Sequence, residues 1–490
     1  MRDIVFELEE HPSRAIFLRL ADAIIAAIQG GRLRPGDRLP GTRALAARLK
    51  LHRNTVDAAY QEALQQGWLV AEPSRGTFVS RDLPVSEPTA SAAGMPGWIQ
   101  RGSRPEATGQ APNAAEQRPL LHFSDGVPDP RLLPVGELAR AFRRALTAPD
   151  FLASSGYGDP RGLPVLRRML CEHLSEERGL PVGIDDLLIT RGSQMALFLA
   201  AGSLLAPGES IAVEVPGYPL AYSAFRAAGA RVVGVPVDAD GISVDDLEKL
   251  AREDPSLRAV YVTPHHQYPT TATLGAARRL RLLDIARHYG LTVIEDDYDH
   301  EYRFDGKPVL PLAARAGREL SLVYVGSLSK MLAPGIRLGY AVARPDLLKR
   351  MSDLRQSIDR QGDVPLEQAI AVLMRDGELG RHARKSRRIY QARRDHLAAE
   401  LERLLGNAIA FDLPAGGLAF WARIIDGSDA EIWSRSAQRL GLRVEPGLTY
   451  CLDTGAPPQA FRLGFASLNE AEITKAVGLL KRAAPKASSQ

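Results

Sequence analysis

Leu322-Val323-Tyr324-Val325-Gly326-Ser327-Leu328-Ser329-Lys330 joins an apolar run of strand type to a loop of small residues that ends on a lysine, with Arg337 seven positions further on. A lysine among small and apolar neighbours loses its proton readily and forms a Schiff base with a carbonyl compound. The string Ser-x-Ser-Lys is common by itself, so its surroundings decide the reading. Five more apolar runs precede it, at residues 187–190, 211–214, 232–235, 259–262 and 291–295, separated by segments of helical length. That alternation predicts an α/β domain with a mostly parallel sheet buried on both faces. Glu295-Asp296-Asp297-Tyr298-Asp299 closes one of these runs, at the carboxyl end of a strand where open α/β sheets place ligands. Thr190-Arg191-Gly192-Ser193-Gln194 leads from another strand into a helix, so free backbone N–H groups and the helix dipole meet an anion there. Ser327 and Arg337 complete the expected phosphate cup. From about Ser352 the chain holds a long basic helix near Ala383 to Leu404, then mixed strands and helices, expected to form a smaller α+β subdomain.

Toward the N-terminus the pattern changes. Phe17, Leu20, Ile24 and Ile28 recur at three- and four-residue steps, marking an amphipathic helix ended by Gly30-Gly31. Two further helices are expected at Thr42 to Leu49 and about Arg53 to Gln66, joined by Lys50-Leu51-His52, which is helix-turn-helix spacing. Trp68 to Val70 and Thr77 to Val79 flank Glu72-Pro73-Ser74-Arg75-Gly76 as a tight hairpin. Between Arg32 and Arg53 there are seven basic residues against one acid, Asp37, a patch suited to neutralising phosphates. From about Pro84 to Pro119 the chain is rich in Pro, Ala, Ser, Gly and Gln without a hydrophobic period, which reads as a flexible linker.

The run from Gly31 to Val79, "GRLRPGDRLPGTRALAARLKLHRNTVDAAYQEALQQGWLVAEPSRGTFV", resembles the GntR-type winged helix. The resemblance implies that Arg43, Arg53, Thr55 and Gly76 touch DNA, in keeping with the position of the recognition-helix N-terminus against base edges and phosphates. His52 stands where that family usually has a capping Ser; its imidazole either caps the helix or contacts phosphate.

Residues of about 120 to 482 resemble fold-type I aminotransferases, which bind pyridoxal 5′-phosphate. The resemblance makes Lys330 the Schiff-base lysine and Asp296 the partner of the protonated ring nitrogen that turns the coenzyme into an electron sink. Tyr298 becomes the donor to the phenolic oxygen, two residues after Asp296 where many aminotransferases have three, which leaves Asp296 or Asp297 open as the ring partner. It places Tyr218 on the coenzyme ring and Ser193, Gln194, Ser327 and Arg337 around the phosphate. Tyr157 would reach the phosphate of a partner subunit, implying a homodimer. Arg462 would grip an effector carboxylate with its two-pronged fork. His265 to Thr271 departs from the aminotransferase Asn-Pro-Thr-Gly, so the asparagine that bonds the coenzyme oxygen is missing. With the fused winged helix and "EDDYDHEYRF", the chain resembles the MocR subfamily of regulators.

The expected architecture is therefore multidomain: a winged helix-turn-helix at 10–82, a linker at 83–119, and an aminotransferase-like domain at 120–482. Its large subdomain is expected at about 150–350, and its small one from about 351 together with 120–149. The implied function is a pyridoxal-phosphate-dependent transcriptional regulator that binds operator DNA and senses an amino compound or the coenzyme at Lys330; the alternative is a transaminase with secondary DNA binding. At 490 residues the chain exceeds a single core. An acidic N-terminus, Glu7, Glu9 and Glu10 with Asp3, lacks the pattern of a secretory signal and favours the cytoplasm. No run approaches the length of a membrane span. Cys171 and Cys451 have no metal-ligand spacing and read as packing residues. His265 and His266 hint at a metal, but with no third ligand in view none is expected.

Overall fold

The computed structural model describes residues 15–72, 75–83, 121–124, 126–149, 151, 156–305, 309–317, 319–452 and 457–485, so all of the predicted linker except its first residue lies outside it. The chain divides into two compact units, Met1–Pro112 and Asn113–Gln490.

The first unit comprises α1 (Ile16–Gln29), α2 (Thr42–Leu49), α3 (Arg53–Gln65) and a hairpin of β1 (Leu69–Glu72) and β2 (Gly76–Val79). Leu20, Ile24 and Ile28, one stripe of α1, are buried against Leu45, Val56, Tyr60 and Trp68. The hairpin pairs Leu69 with Val79 and Glu72 with Gly76. His52 caps α3, its Nδ1 accepting from the Asn54 N–H at 3.3 Å, which resolves the open reading of that residue. Gly76 sits at φ +119°, a backbone conformation that favours glycine; a Cβ there would lie 3.1 Å from Nε of the exposed Arg38 side chain, which can yield.

The second unit opens with β3 (Leu121–His122), α4 (Val135–Thr147), α5 (Pro164–Arg178), β4 (Leu187–Thr190), α6 (Gly192–Leu204), β5 (Ser210–Val215), α7 (Pro219–Ala227), β6 (Arg231–Asp238) and β7 (Gly241–Ile242). It continues through α8 (Val244–Glu253), β8 (Leu257–Val262), α9 (Ala276–Tyr289), β9 (Thr292–Asp297), β10 (Leu322–Ser327), β11 (Gly339–Val342), α10 (Pro345–Ile358), α11 (Val364–Arg375) and α12 (Glu378–Leu405). The last part holds β12 (Ile409–Ala410), β13 (Ala419–Ile424), α13 (Ala430–Arg439), β14 (Leu442–Arg443), β15 (Glu445–Pro446), β16 (Ala460–Gly464) and α14 (Glu470–Ala483).

The large sheet has the order β4-β11-β10-β9-β8-β5-β6-β7. Its six predicted strands are present. The sequence reading missed β11, which pairs antiparallel with both β10 and β4, and the short β7, antiparallel to β6. Alternate residues face opposite layers. Leu188, Val213, Tyr261, Ile294, Val323 and Val325 pack with α6, α7 and α10, whereas Leu187, Ile189 and Tyr324 pack with α4, α5 and α11. The carboxyl ends of β4, β5, β8, β9 and β10 share one edge, because β10, β9, β8 and β5 run parallel and Ser327 pairs with Gly339 and Gly339 with Thr190.

The smaller core joins β12-β13-β16-β15 to α13, α14 and the later part of α12, and takes in Leu121 and Phe123. Residues of α4, α10 and α11 pack on the large sheet's layers, and α12 crosses from one core at Leu379 to the other at Tyr390. Both cysteines are partly buried. Among the described residues no helix is long and apolar enough to cross a membrane.

Candidate functional site

At the shared strand edge, three consecutive carboxylates of β9 find three different environments because strand side chains alternate. Glu295 accepts from the backbone N–H groups of Leu312 and Ala313 at 2.8 and 2.9 Å. Asp296 points the other way, where its Oδ2 accepts from the Tyr261 hydroxyl at 2.9 Å. Asp297 returns to the first side and meets Arg178 and the Tyr324 hydroxyl, the latter at 2.6 Å.

Burial pushes Asp296 up to about 7, against the pull of Tyr261 and, more weakly, of the Lys330 ammonium. The Oδ1 of Asp296 is buried with no hydrogen-bond partner among the described residues. Glu214, at the end of β5, is pushed by burial to about 7 as well, and accepts from Thr263 and Gln267.

Lys330 follows β10, where the strand leaves the sheet, and its Nζ donates to the Gly126 carbonyl at 3.0 Å. The Tyr302 hydroxyl, donating to the Lys330 carbonyl at 3.1 Å, holds the loop from below. Ser327 accepts through Oγ from the Ser329 N–H at 3.1 Å. The start of α6 lies alongside: a Cβ on Gly339 would come within 2.9 Å of the Ser193 nitrogen, and one on Gly192 within 3.0 Å of the Arg337 guanidinium. Arg337 also donates to the Arg191 carbonyl at 3.0 Å. Ser193, Ser327 and Arg337 are thus brought to one corner. The Gln194 amide is turned to the Leu220 carbonyl at 2.7 Å.

Tyr218 stands edge-on to Tyr268, ring centres 4.9 Å apart, and Tyr298 donates to the His266 carbonyl at 2.9 Å. Tyr268 is the residue that sequence reasoning passed over. It touches Tyr218, Tyr298 and Tyr450, and the Arg462 guanidinium lies 4.3 Å from its ring centre. Arg462 is 2% exposed and donates to the Pro269 carbonyl at 2.8 Å. Tyr157 lies apart from this cluster, 75% exposed, with the Arg360 guanidinium over its ring at 3.7 Å. Tyr261 was missed too, since in the sequence it is one more apolar-type residue of a buried strand.

Opposite chemistry governs the first unit. Arg43, Arg53 and Gly76 are exposed and Thr55 is half-buried, at the starts of α2, α3 and β2. Arg32, Arg34, Arg38, Arg48 and Lys50 are exposed around them. Asp37, the single acid of the patch, accepts from the Arg34 N–H at 2.8 Å.

Residues 17–79 match the model of bacterial regulatory proteins of the gntR family, and residues 120–480 that of aminotransferase class I and II. The chain is 30% identical to the probable rhizopine catabolism regulatory protein MocR of Rhizobium meliloti, over 95% of this chain and 93% of that protein. It is 32% identical to the HTH-type transcriptional regulator TauR of Rhodobacter capsulatus, over 95% of this chain and 96% of that one. LysN, the α-aminoadipate aminotransferase of Thermus thermophilus solved with N-(5′-phosphopyridoxyl)-L-leucine, has a TM-score of 0.68 at 30% identity, over 74% of this chain and 91% of its own. The chain belongs to the MocR-type regulators of the GntR family, transcriptional regulators that bind DNA through a winged helix fused to an aminotransferase class I and II domain. Its coenzyme is pyridoxal phosphate, and the residues fit it. The unpartnered Oδ1 of Asp296 matches the proton of a pyridinium nitrogen, and the glycine-lined start of α6 beside Arg337 matches a phosphate.

Proposed function

We propose that this regulator reads an amino acid in its second unit and converts the reading into altered operator binding by the first. The observation that carries the proposal is Arg462, a buried guanidinium oriented by Tyr268 and the Pro269 carbonyl within the aromatic cluster that holds Tyr218 and Tyr298. A desolvated, pre-oriented arginine is suited to a carboxylate.

Pyridoxal phosphate supplies an aldehyde carbon for which amines compete. Around it, Asp296 holds the ring-nitrogen proton and Tyr261 fixes the orientation of that carboxylate. Tyr298 would serve the phenolic oxygen and Tyr218 the ring. Ser193, Ser327, Arg337, the dipole of α6 and Gln194, once its amide leaves the Leu220 carbonyl, would hold the phosphate, and in a homodimer the exposed Tyr157 would reach the partner's cup. With the coenzyme bound, Lys330 would be the amine with which an effector competes, and Arg462 would hold the effector's carboxylate. Only a ligand that binds two conformations unequally shifts their balance. Two recognition helices in the dimer, each opening on Arg53 and Thr55, meet paired half-sites in the cytoplasm, with affinity falling as salt rises.

Replacing Arg462 with Ala tests the reading. Visible-absorbance titrations of the coenzyme-loaded variant should show affinity for amino acids reduced and affinity for amines without a carboxylate retained; equal losses for both ligand classes would refute the assignment. A transaminase reading competes because the 2-aminoadipate transaminase of Thermus thermophilus is 32% identical over 75% of this chain. Steady-state amino transfer to 2-oxo acids at ordinary enzyme rates would favour it.

A further inference from the structure

On the face of β9 turned away from Asp296, a second constellation takes shape. His265 Nε2 lies 2.6 Å from the Val309 carbonyl, an acceptor, so that nitrogen carries the proton. The neutral ring then presents its Nδ1 lone pair to Oδ1 of Asp297 at 3.4 Å, an acceptor facing an acceptor. His300 brings its own Nδ1 to 2.9 Å from Oδ2 of the same carboxylate, outside hydrogen-bond geometry but close enough for an ion pair when that imidazole carries two protons. His265 Nδ1, Asp297 Oδ1 and His300 Nδ1 are all buried with no hydrogen-bond partner among the described residues. One ligand atom from each residue fits within a 4.8 Å span. His265 and His300 line a cavity of about 660 Å³ that also reaches Glu172, His173 and Glu301.

We propose that His265, Asp297 and His300 form a divalent transition-metal site whose remaining coordination position opens to this cavity. Two imidazoles and one carboxylate favour zinc, cobalt or nickel over magnesium or calcium, which take oxygen donors. Three protein ligands with one open position is the arrangement of sites that admit water or a small ligand to the metal rather than of closed structural ones. The charge balance agrees: Arg178 bridges Asp297 and Glu301, leaving this pair of carboxylates with one negative charge toward a dication. The buried hydroxyl of Tyr324, donating to Oδ2 of Asp297 at 2.6 Å, fixes the carboxylate as an outer partner does. The second and third residues of this arrangement, Asp297 and His300, come from the end of β9 and the turn after it, so the sequence offered the histidine pair His265 and His266 and no completing ligand. In the fold His266 turns away, its Nδ1 2.8 Å from Asp299, and Asp297 and His300 replace it. The site does not depend on the coenzyme or on the effector reading.

The test uses the full-length, coenzyme-loaded protein, titrated with Co(II) and followed by the visible ligand-field band, with metal content measured after desalting. One equivalent per chain is expected, displaced by Zn(II) and not by Mg(II). His300→Ala, at the partly exposed edge of the site, should weaken Co(II) binding more than about 100-fold, and His265→Ala should do the same. Coenzyme absorbance and operator binding serve as folding controls; if His265→Ala fails them, the His300→Ala result decides. Failure of the wild-type protein to retain cobalt or zinc would overturn the proposal, as would a folded His300→Ala protein that binds Co(II) unchanged; in either case the three residues are a buried His–Asp cluster only.

Discussion

In the first unit the charged side chains that matter stand in water: Arg43 and Arg53 are exposed at the starts of two helices, ringed by exposed Arg32, Arg34, Arg38, Arg48 and Lys50. In the second most of them are buried: Arg178, Glu214, Glu295, Asp296, Asp297 and Arg462 are withdrawn from solvent, while Lys330 is half-buried and Arg337 at the phosphate corner is exposed. The difference follows from what each unit binds. Duplex DNA is a large polyanion whose counterions are released on binding, so long, hydrated side chains suffice and salt sets the affinity. A coenzyme ring, and the amino compound proposed as its effector, offer few contacts, and those must be preorganised and desolvated to discriminate. Substitutions in the two units should therefore fail in different ways.

The largest effect belongs to the buried site. Lys330→Ala should abolish covalent retention of the coenzyme after borohydride reduction, read as loss of the added mass; a variant that still carries the label on another residue would break the comparison at its centre. Next comes Glu214, held up to about 7 against its ordinary 4.5 chiefly by burial. The folded unit keeps this proton where the unfolded chain has lost it, so the stability it contributes is full below about 4.5 and disappears as pH rises through about 7. Glu214→Gln should flatten that fall, on the order of 3 kcal/mol at most, in denaturant midpoints measured at pH 5 and pH 8. An unchanged slope would mean that this carboxyl is not the source.

Arg53→Ala should cost about 1–3 kcal/mol of discrimination between operator and mutated operator, measured by competition gel-shift, and leave the coenzyme spectrum unaltered. Tyr261→Phe should weaken coenzyme retention by about 1 kcal/mol, roughly a factor of five, with DNA binding of the coenzyme-saturated protein unaffected. The smallest change is expected for His52→Ala. It removes the cap of α3, lowering the stability of the first unit by about 0.5–1 kcal/mol, whereas His52→Ser should preserve the cap.

Much of this division was legible in the chain. The strands of the large sheet are covered on both faces, so they survive in sequence as continuous apolar runs, and the stripe Leu20, Ile24, Ile28 declares its helix. The lysine and the acidic strand end could be located from the apolar runs that precede them, whereas Arg462 was reached only through the aminotransferase resemblance. Other features were hidden for physical reasons. β11 is four residues long and follows a loop rather than a helix, so no period marks it. Asp296 and Asp297 look equivalent until the strand's alternation assigns them to opposite faces. Tyr261 and Tyr268 gain their roles from neighbours across strands and loops. His265 meets Asp297 and His300 only because β8 and β9 are adjacent, and the smaller core starts in mid-helix, at a point that periodicity does not mark.

The central claim is that occupancy of the buried site and affinity at the exposed one are coupled. Its most direct test is a titration of the coenzyme-loaded protein with a panel of amino acids and amines, reading visible absorbance and operator affinity in the same samples. A ligand that changes the spectrum and shifts the operator dissociation constant with the same midpoint is the predicted result. Saturation of the spectral change by every active ligand with operator affinity constant throughout would contradict it.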